Sequence, residues 1–310
     1  MDIDKTIFII GTGRCGTTIL YDILAMHPEL AWFSNLSNSH PGSRSWLRFQ
    51  NVLLRNSRIE KYLNKRILKP TRLNRALTYP FRPNEGHAIY GSYCGFDDNR
   101  KMTEDDYDEE MERRLRYVIT MHLEAAAKNR FINKQTANTQ RLRLINRMFP
   151  GAYYIHMIRD PRAVINSFLN VDFWNDMNVW WLGGKTVSEL RKQGGKPIEL
   201  AMEHWRRNLQ EIMSNKDILD KYMEVGYEDF VKDPRLEVGR ILTFCGLSFP
   251  ERFKEFVPEN LPNRNYKWHE DLNKEQISSI EKNINDGLKS FHMNDLSREE
   301  FQDQTGQTVA

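Results

Sequence analysis

The chain has few cysteines and no long apolar run. Its three cysteines, Cys15, Cys94 and Cys245, lie far apart in 310 residues. That scatter excludes a disulfide-rich scaffold and gives no zinc-site spacing. No apolar run approaches the roughly 20 residues that cross a bilayer, and residues 1–5 lack the basic and apolar regions of a secretory signal. From these absences we expect a cytoplasmic protein without a metal site.

An excess of charge of either sign is also missing. The 45 basic and 42 acidic side chains give a net charge of +3, which offers no reason to expect nucleic-acid binding. No linker-like stretch or internal repeat divides the sequence, so we expect residues 1–310 to form one domain.

Positive charge is nevertheless concentrated in one segment. Between Arg44 and Arg82 there are eleven basic residues and one acidic residue, Glu60, interleaved with aliphatic side chains. Such a pattern is typical of an amphipathic helix whose basic face is solvated. It is equally compatible with peripheral contact with an anionic surface, such as a glycan or a lipid headgroup.

The segment 7–20 carries the most specific chemical signal. Four apolar residues predict a buried strand, a glycine-rich loop over 11–16 predicts a tight turn, and Thr17 opens a predicted helix. The first turn of a helix offers unpaired N–H groups and the positive end of the helix dipole. With the Arg14 guanidinium and the hydroxyls of Thr17 and Thr18 added, the loop is suited to hold a phosphate or a sulfate.

Two common nucleotide-binding loops are excluded by what this segment lacks. A dinucleotide-binding loop with the same glycine spacing needs an acidic residue about 20 positions later, and the predicted strand 30–33 ends in Ser34 and Asn35. A nucleoside triphosphatase loop needs Gly-Lys-Ser/Thr, whereas Gly16 and Thr17 stand there. The loop therefore lacks the lysine of a Mg²⁺-dependent site, and the plain alternative is a structural turn.

A second candidate anion site follows the apolar segment 153–158. Arg159 stands at the end of this predicted strand, Asp160 and Pro161 are typical of a helix start, and Ser167 follows in the predicted helix. Ligands of open parallel sheets bind at the carboxyl ends of strands. Alone, these residues are compatible with a helix cap and a salt bridge. Together with the first loop they suit a nucleotide that is phosphorylated at both its 5′ and 3′ ends.

This combination resembles the sulfotransferases that use 3′-phosphoadenosine 5′-phosphosulfate (PAPS). By that resemblance, residues 11–18 form the 5′-phosphosulfate loop, and Arg159 and Ser167 form the 3′-phosphate motif. The resemblance implies PAPS as the co-substrate, no metal, and a hydroxyl-bearing acceptor such as a glycan, a glycolipid or a small molecule. It implies that the following residues bind the nucleotide: Arg14, Cys15, Gly16, Thr17, Thr18, Arg159, Ser167 and Tyr227.

The resemblance also implies two cationic catalytic residues. Many relatives have lysine where Arg14 stands, and this arginine would stabilise charge on the leaving phosphate rather than donate a proton. Lys134 follows the third apolar strand and matches a lysine that contacts the transferring group. The plain alternative for Lys134 is a solvated side chain at the end of a strand.

The identity of the general base is open. The cytosolic branch has a histidine two residues after its lysine, and Thr136 stands there. We rank Glu85 first, because it ends a short motif that resembles one in bacterial members. His87 comes second and His40 third, and each of the three is also compatible with a structural role.

The predicted order of elements is typical of an α/β fold with three layers, a central parallel sheet flanked by helices. It corresponds to the P-loop-like sulfotransferase fold with a helical insertion at about 36–128. The predicted strands are 6–10, 30–33, 130–133, 153–158 and 221–226, and the predicted helices outside the insertion are 17–26, 138–148, 161–168, 199–214 and 234–245.

Two other functions stay open beside sulfuryl transfer. One is a P-loop kinase-like transferase, and the other is a non-catalytic protein that binds PAPS or its product, adenosine 3′,5′-bisphosphate (PAP). An aromatic cluster is compatible with either a mobile wall over the acceptor or ordinary core packing. Its members are Phe173, Trp174, Trp180 and Trp181.

Overall fold

The protein is described by a computed structural model over residues 2–54, 57–68 and 76–290. Part of the basic segment lies outside these residues, namely Arg55, Lys69, Arg72 and Arg75.

A parallel sheet of five strands forms the centre of the fold. Its strands are β1 (Ile7–Ile10), β2 (Leu30–Ala31), β3 (Arg130–Lys134), β4 (Tyr153–Ile158) and β7 (Tyr222–Gly226), and a separate antiparallel pair consists of β5 (Asn178–Val179) and β6 (Lys185–Thr186). The order across the central sheet is β2-β3-β1-β4-β7, and every neighbouring pair is parallel. The chain passes to one side of β1 first and to the other side later. A crevice at such a switch point is where ligands of open α/β sheets bind.

Helices cover both faces of the sheet. They are α1 (Thr17–Leu24), α2 (Asn35–Ser39), α3 (Arg44–Leu54), α4 (Ser57–Leu68), α5 (Glu109–Ala126), α6 (Leu142–Met148), α7 (Pro161–Leu169), α8 (Val187–Lys192), α9 (Pro197–Met213), α10 (Tyr227–Lys232), α11 (Pro234–Phe244), α12 (Glu251–Lys254), α13 (Lys267–Asp271) and α14 (Lys274–Ser290). The predicted insertion is helical: α2 to α5 lie in it, with a π-helical turn at Ile89–Cys94.

The alternation of side chains along β1 divides the core into two clusters. Ile7 and Ile9 join one cluster, together with apolar residues of α1, α7, α9 and α11. Phe8 and Ile10 point to the opposite face and join the other cluster, with residues of α3, α5 and α6. All four side chains are at most 1% exposed. Because both faces are covered, the strand is apolar throughout, as expected of a central parallel strand.

Two predicted elements are shorter than the sequence pattern suggests. The predicted strand 30–33 pairs with β3 over Leu30 and Ala31 only, because the Phe33 carbonyl accepts a hydrogen bond from the Asn84 N–H at 2.7 Å instead. The predicted helix 138–148 is α-helical only from Leu142, and a 3₁₀ segment precedes it.

Candidate active site

A cavity of about 1210 Å³ opens at the carboxyl edge of the sheet. Four strands end at it: the loop after β1 lines it, Lys134 ends β3, Arg159 follows β4 and Tyr227 follows β7. Residues of α7 and of the segment 261–271 complete its wall. Parallel strands thus bring together residues that lie more than 200 positions apart in the sequence.

The loop after β1 turns sharply through residues with positive φ. The φ angles of Gly13, Arg14 and Gly16 are 82°, 56° and 95°. Helix α1 then begins at Thr17 without a side-chain cap, so its first backbone N–H groups are available to a ligand. An arginine in the left-handed region costs about 1 kcal/mol, and that strain is consistent with a functional requirement at this position.

Gly16 allows the loop to approach the residue after β7. A Cβ atom built on Gly16 would lie 2.6 Å from Cδ2 of Tyr227, a distance that side chains do not tolerate. Tyr227 is 5% exposed, so its ring has little room to move away. The absence of a side chain at Gly16 therefore allows the phenol ring to pack against the loop after β1.

The two predicted anion sites are in direct contact. Arg14 donates from Nε to Ser167 Oγ at 3.0 Å, and Arg159 donates from Nη1 to the backbone carbonyl of Arg14 at 2.9 Å. Both guanidinium groups and the Ser167 hydroxyl therefore belong to one surface of the cavity.

Arg159 is positioned by neutral partners and an aromatic ring. Its Nε donates to Asn265 Oδ1 at 2.9 Å, and its guanidinium carbon lies 4.2 Å from the centre of the Tyr227 ring. Asn265 in turn donates to Glu228 Oε1 at 2.5 Å. Within residues 2–54, 57–68 and 76–290, neither Arg14 nor Arg159 forms an ion pair with a carboxylate. Two cations without such a partner favour binding of an external anion.

Lys134 forms a partly buried ion pair with Glu85 in the wall of the same cavity. Its ammonium group contacts Glu85 Oε1, and the Lys134 side chain is 5% exposed. The Thr136 backbone N–H also donates to Glu85, at 3.4 Å. Burial alone would raise the pKa of Glu85, but Lys134 and His87 lower it to about 2. The carboxylate is therefore ionised at neutral pH.

His87 lies between two carboxylates. Its Nε2 is 3.6 Å from Glu85 Oε2, and its Nδ1 is 3.1 Å from Asp98 Oδ2. The hydrogen bonds to Asp98 and then to Glu85 raise the pKa of His87 to about 9. Arg141, which is 1% exposed, holds the other oxygen of Asp98 at 2.8 Å. At neutral pH the imidazole is thus a cation.

The comparison with known proteins decides the family. Residues 6–251 match the sequence profile of the sulfotransferase family. The chain belongs to that family. The fold predicted from the sequence, a parallel sheet with helices on both faces, is confirmed.

Two curated nematode proteins are similar to half of this chain. A Caenorhabditis elegans protein with the provisional name protein-tyrosine sulfotransferase is 25% identical over 155 residues, which cover 50% of this chain and 53% of that protein. A Caenorhabditis briggsae protein of the same name is 24% identical over 155 residues, covering 50% of this chain and 49% of its own length. The chain thus spans about half the length of these relatives.

Two mycobacterial enzymes share the fold. Sulfotransferase STF1 from Mycobacterium tuberculosis superposes with a TM-score of 0.59 at 16% identity, over 91% of this chain and 76% of that one. Sulfotransferase STF9 from Mycobacterium avium gives 0.59 at 17% identity, over 93% and 77%. At these identities the likeness concerns the fold alone.

Most of the predicted site residues line the cavity. They are Arg14, Gly16, Thr17, Thr18, Glu85, His87, Lys134, Arg159, Ser167 and Tyr227. The Cys15 side chain differs, because it is 1% exposed and packs in the apolar core. Only its backbone is then available to a ligand. His40 also differs, since it lies outside the cavity wall, with its ring 5.1 Å from that of Trp46.

The predicted aromatic cluster is divided between wall and core. Phe173 and Trp180 line the cavity, whereas Trp174 is 2% exposed and packs against Phe168 at 4.8 Å between ring centres. Trp181 packs against the core as a partly buried residue. Neither alternative therefore holds for the cluster as a whole.

Several residues of the site carry no signal in the sequence. Asp98 and Arg141 lie in segments without a motif, and only the fold brings them to His87. Arg264 and Lys267 add positive charge to the wall of the cavity. Asp22 also lines it, and burial raises the pKa of this carboxyl to about 6, although Arg82 and Lys134 lower it.

The described residues contain neither a cluster of metal-ligating side chains nor a helix that could span a membrane. Among them, no group of three or more His, Cys, Asp or Glu side chains is arranged to hold a metal ion. No helix in residues 2–54, 57–68 or 76–290 is both long and apolar enough to cross a membrane.

Proposed function

We propose that this sulfotransferase moves the sulfuryl group of PAPS to a hydroxyl acceptor without a metal. The observation that carries the proposal is the joined anion surface: Arg14, Arg159 and Ser167 in mutual contact, beside the uncapped start of α1. Two guanidinium groups that have no carboxylate partner among the described residues suit a ligand with two separate anionic groups better than a single phosphate.

The proposed nucleotide orientation follows from the chemistry of the wall. The 5′-phosphosulfate would bind at the first turn of α1, where N–H groups and the hydroxyls of Thr17 and Thr18 meet Arg14. The 3′-phosphate would bind Arg159 and Ser167. By the family resemblance, the adenine would lie near Tyr227, which lines the cavity between Gly16 and Arg159.

The transfer requires charge stabilisation at the leaving group. The acceptor oxygen attacks the sulfur, the bond between sulfur and the 5′-phosphate oxygen breaks, and negative charge accumulates on that phosphate. Arg14 and the N–H groups of α1 would stabilise this charge. Lys134 also lines the cavity and would contact the sulfuryl oxygens during the transfer.

Glu85 is the general base that we propose. A cationic imidazole has no lone pair for a proton, so the pKa of about 9 at His87 argues against His87 as the base at neutral pH. Glu85 is ionised, and its basicity is suppressed mainly by Lys134. If Lys134 turns to the sulfuryl group, the pKa of Glu85 rises and the carboxylate becomes a better base for the acceptor proton.

The aromatic part of the cavity wall favours an acceptor whose hydroxyl group is attached to a sugar ring or an aromatic ring. Phe173 and Trp180 line it together with Asn178, and both sugars and phenols stack on aromatic side chains. The names of the two worm relatives add tyrosine-containing peptides to the acceptor classes to be screened.

A release assay tests the proposal. The purified protein is mixed with PAPS and a panel of sugars, glycolipids, phenols and tyrosine peptides without metal, and PAP formation is followed. We expect acceptor-dependent release that Arg14→Ala lowers by about 10²–10³-fold in kcat, with a much smaller loss of PAP affinity. Arg113→Ala, an exposed arginine on α5, is the matched control.

The same assay distinguishes the two alternatives. A non-catalytic nucleotide-binding protein would bind PAP and release none from PAPS with any acceptor, and Arg14→Ala would change only its affinity. A kinase-like transferase would consume ATP in place of PAPS and would require Mg²⁺. Either result contradicts sulfuryl transfer.

A further inference from the structure

Helix α3 presents large apolar side chains to solvent on its outer face. Trp46, Phe49 and Val52 are 42%, 51% and 66% exposed, and their spacing of three residues places them along one side of the helix. The inner face is well buried: Leu47 is 3% exposed and Gln50 is 4% exposed. The outer apolar residues are therefore not a consequence of loose packing of α3 on the domain.

Two arginines flank this apolar stripe. Arg44 and Arg48 are exposed on the same helix, and among the described residues neither pairs with a carboxylate. Arg44 lies over the ring of Tyr117, 5.6 Å from its centre. The charge of both guanidinium groups is thus available to a partner.

A groove between α3 and α5 adjoins the stripe. It has a volume of about 370 Å³, and Arg44, Arg48 and Val52 line it together with Met121 and Glu124. Two arginines and one carboxylate line the groove, so its net charge is positive and it favours an anion.

We propose that the outer face of α3 docks on a lipid bilayer that contains anionic headgroups. A polyanionic glycan would contact the arginines and could stack on the rings of Trp46 and Phe49, but it would leave the aliphatic Val52, which is the most exposed of the three, in water. A bilayer satisfies both features, because the apolar stripe enters the boundary of the acyl chains while Arg44 and Arg48 contact phosphate groups. Tryptophan and arginine are typical of helices that lie in this interface. The proposal does not depend on the reaction proposed above.

Vesicle co-sedimentation of the full chain tests the proposal. We expect binding to phosphatidylcholine vesicles that contain phosphatidylserine, weaker binding to phosphatidylcholine alone, and a decrease with added salt. Arg44→Gln with Arg48→Gln should reduce the partition coefficient by roughly 25-fold, since each basic residue contributes about fivefold. Phe49→Ser with Val52→Ser should reduce it by roughly tenfold or more on both kinds of vesicle.

Two matched substitutions outside the face serve as controls. Leu236→Ser removes a side chain that is 60% exposed on α11, and Lys192→Gln removes an exposed cation on α8; neither should change vesicle binding. Thermal unfolding of each α3 variant checks that it is folded. An α3 variant that is unfolded is replaced by a single substitution at Arg48, for which about a fivefold loss is expected.

Three outcomes would overturn the proposal. One is equal vesicle binding by wild type and by the folded α3 variants. Another is self-association of the wild type that the Phe49 and Val52 substitutions abolish, without vesicle binding, which would identify a second copy as the partner. The third is binding to a sulfated polysaccharide, lost with Arg44 and Arg48, in the absence of vesicle binding.

Discussion

At the scale of single residues, the acidic and basic groups around Glu85 distinguish the candidate bases. Glu85 contacts Lys134 and His87, and His87 also contacts Asp98. A carboxylate between two cations is ionised, whereas an imidazole between two carboxylates is protonated. The ranking of Glu85 before His87 rests on the sequence motif, and our proposal of Glu85 as the base rests on this electrostatic difference; His40 lies outside the cavity wall.

The first prediction concerns the two substitutions that separate Glu85 from His87. At saturating PAPS, Glu85→Gln should lower kcat by about 10²–10⁴-fold, because the amide cannot accept the proton of the acceptor. His87→Ala should lower kcat much less, since it removes only a partner that positions Glu85. Steady-state kinetics measure both. A wild-type kcat in both variants would exclude both residues as the base.

The second prediction concerns the protonation of His87. The pKa of His87 is raised in the folded protein to about 9, against about 6.5 in an unfolded chain. The contacts of protonated His87 with Asp98 and Glu85 therefore contribute fully to the free energy of unfolding below about pH 6.5. This contribution is lost as the pH rises through about 9, because the imidazole loses its proton. Wild type should be more thermally stable than His87→Ala at the acidic end of this window, with the difference disappearing above it.

An NMR titration gives an independent readout of the same group. The chemical shifts of the His87 ring protons should change with a midpoint near pH 9 in the wild type. Asp98→Asn should lower that midpoint towards the ordinary value for histidine. A midpoint near 6.5 in the wild type would contradict the contact geometry described here.

At the scale of elements, the loop after β1 depends on the close approach of Tyr227. The left-handed backbone and the missing Cβ at Gly16 are two separate requirements. Gly194 has the same φ of 95°, and a Cβ added there would meet nothing within 4 Å. The two glycines therefore separate the cost of the backbone angle from that of the ring contact.

The third prediction uses this pair. Gly194→Ala should lower the free energy of unfolding by about 1 kcal/mol, from the backbone angle alone. Gly16→Ala should lower it by about 1–3 kcal/mol more and should weaken PAP binding, because the loop or the Tyr227 ring must shift. Chemical denaturation and calorimetry measure the two effects. Equal losses of stability and unchanged affinity would show that the contact is unimportant.

The elements that could be predicted from the sequence are those fixed by local patterns. The apolar run of β1, the glycine loop and the Asp160-Pro161 start of α7 each carry a local signal, and all are present. The end of β2 was not predictable, because it depends on a hydrogen bond from Asn84 in the insertion to Phe33.

The same distinction applies to the site. Arg14 and Arg159 follow strands in recognisable motifs, so their convergence at one sheet edge could be expected from parallel topology. Asp98 and Arg141 have no such signal, since their role follows from long-range packing around His87. Arg141 also lies in a segment of basic residues where exposure is the ordinary expectation.

At the scale of the whole molecule, four strands bring the anion surface, the ion pair and the aromatic wall into one cavity of about 1210 Å³. The cations that line it without an ion pair among the described residues are Arg14, Arg159, Arg264 and Lys267. Such a concentration of positive charge at the carboxyl edge of the sheet favours a ligand with more than one anionic group.

A calorimetric titration of the purified protein with adenosine 3′,5′-bisphosphate, in the absence of metal, tests whether the cavity is a site for a nucleotide with two separate phosphates. ATP and NAD⁺ are titrated in parallel under the same conditions. We predict that the bisphosphate binds tightly, that ATP and NAD⁺ bind far more weakly, and that Arg159→Ala weakens the bisphosphate in particular. A preference of the protein for ATP or NAD⁺ would contradict the two-phosphate site and, with it, sulfuryl transfer from PAPS.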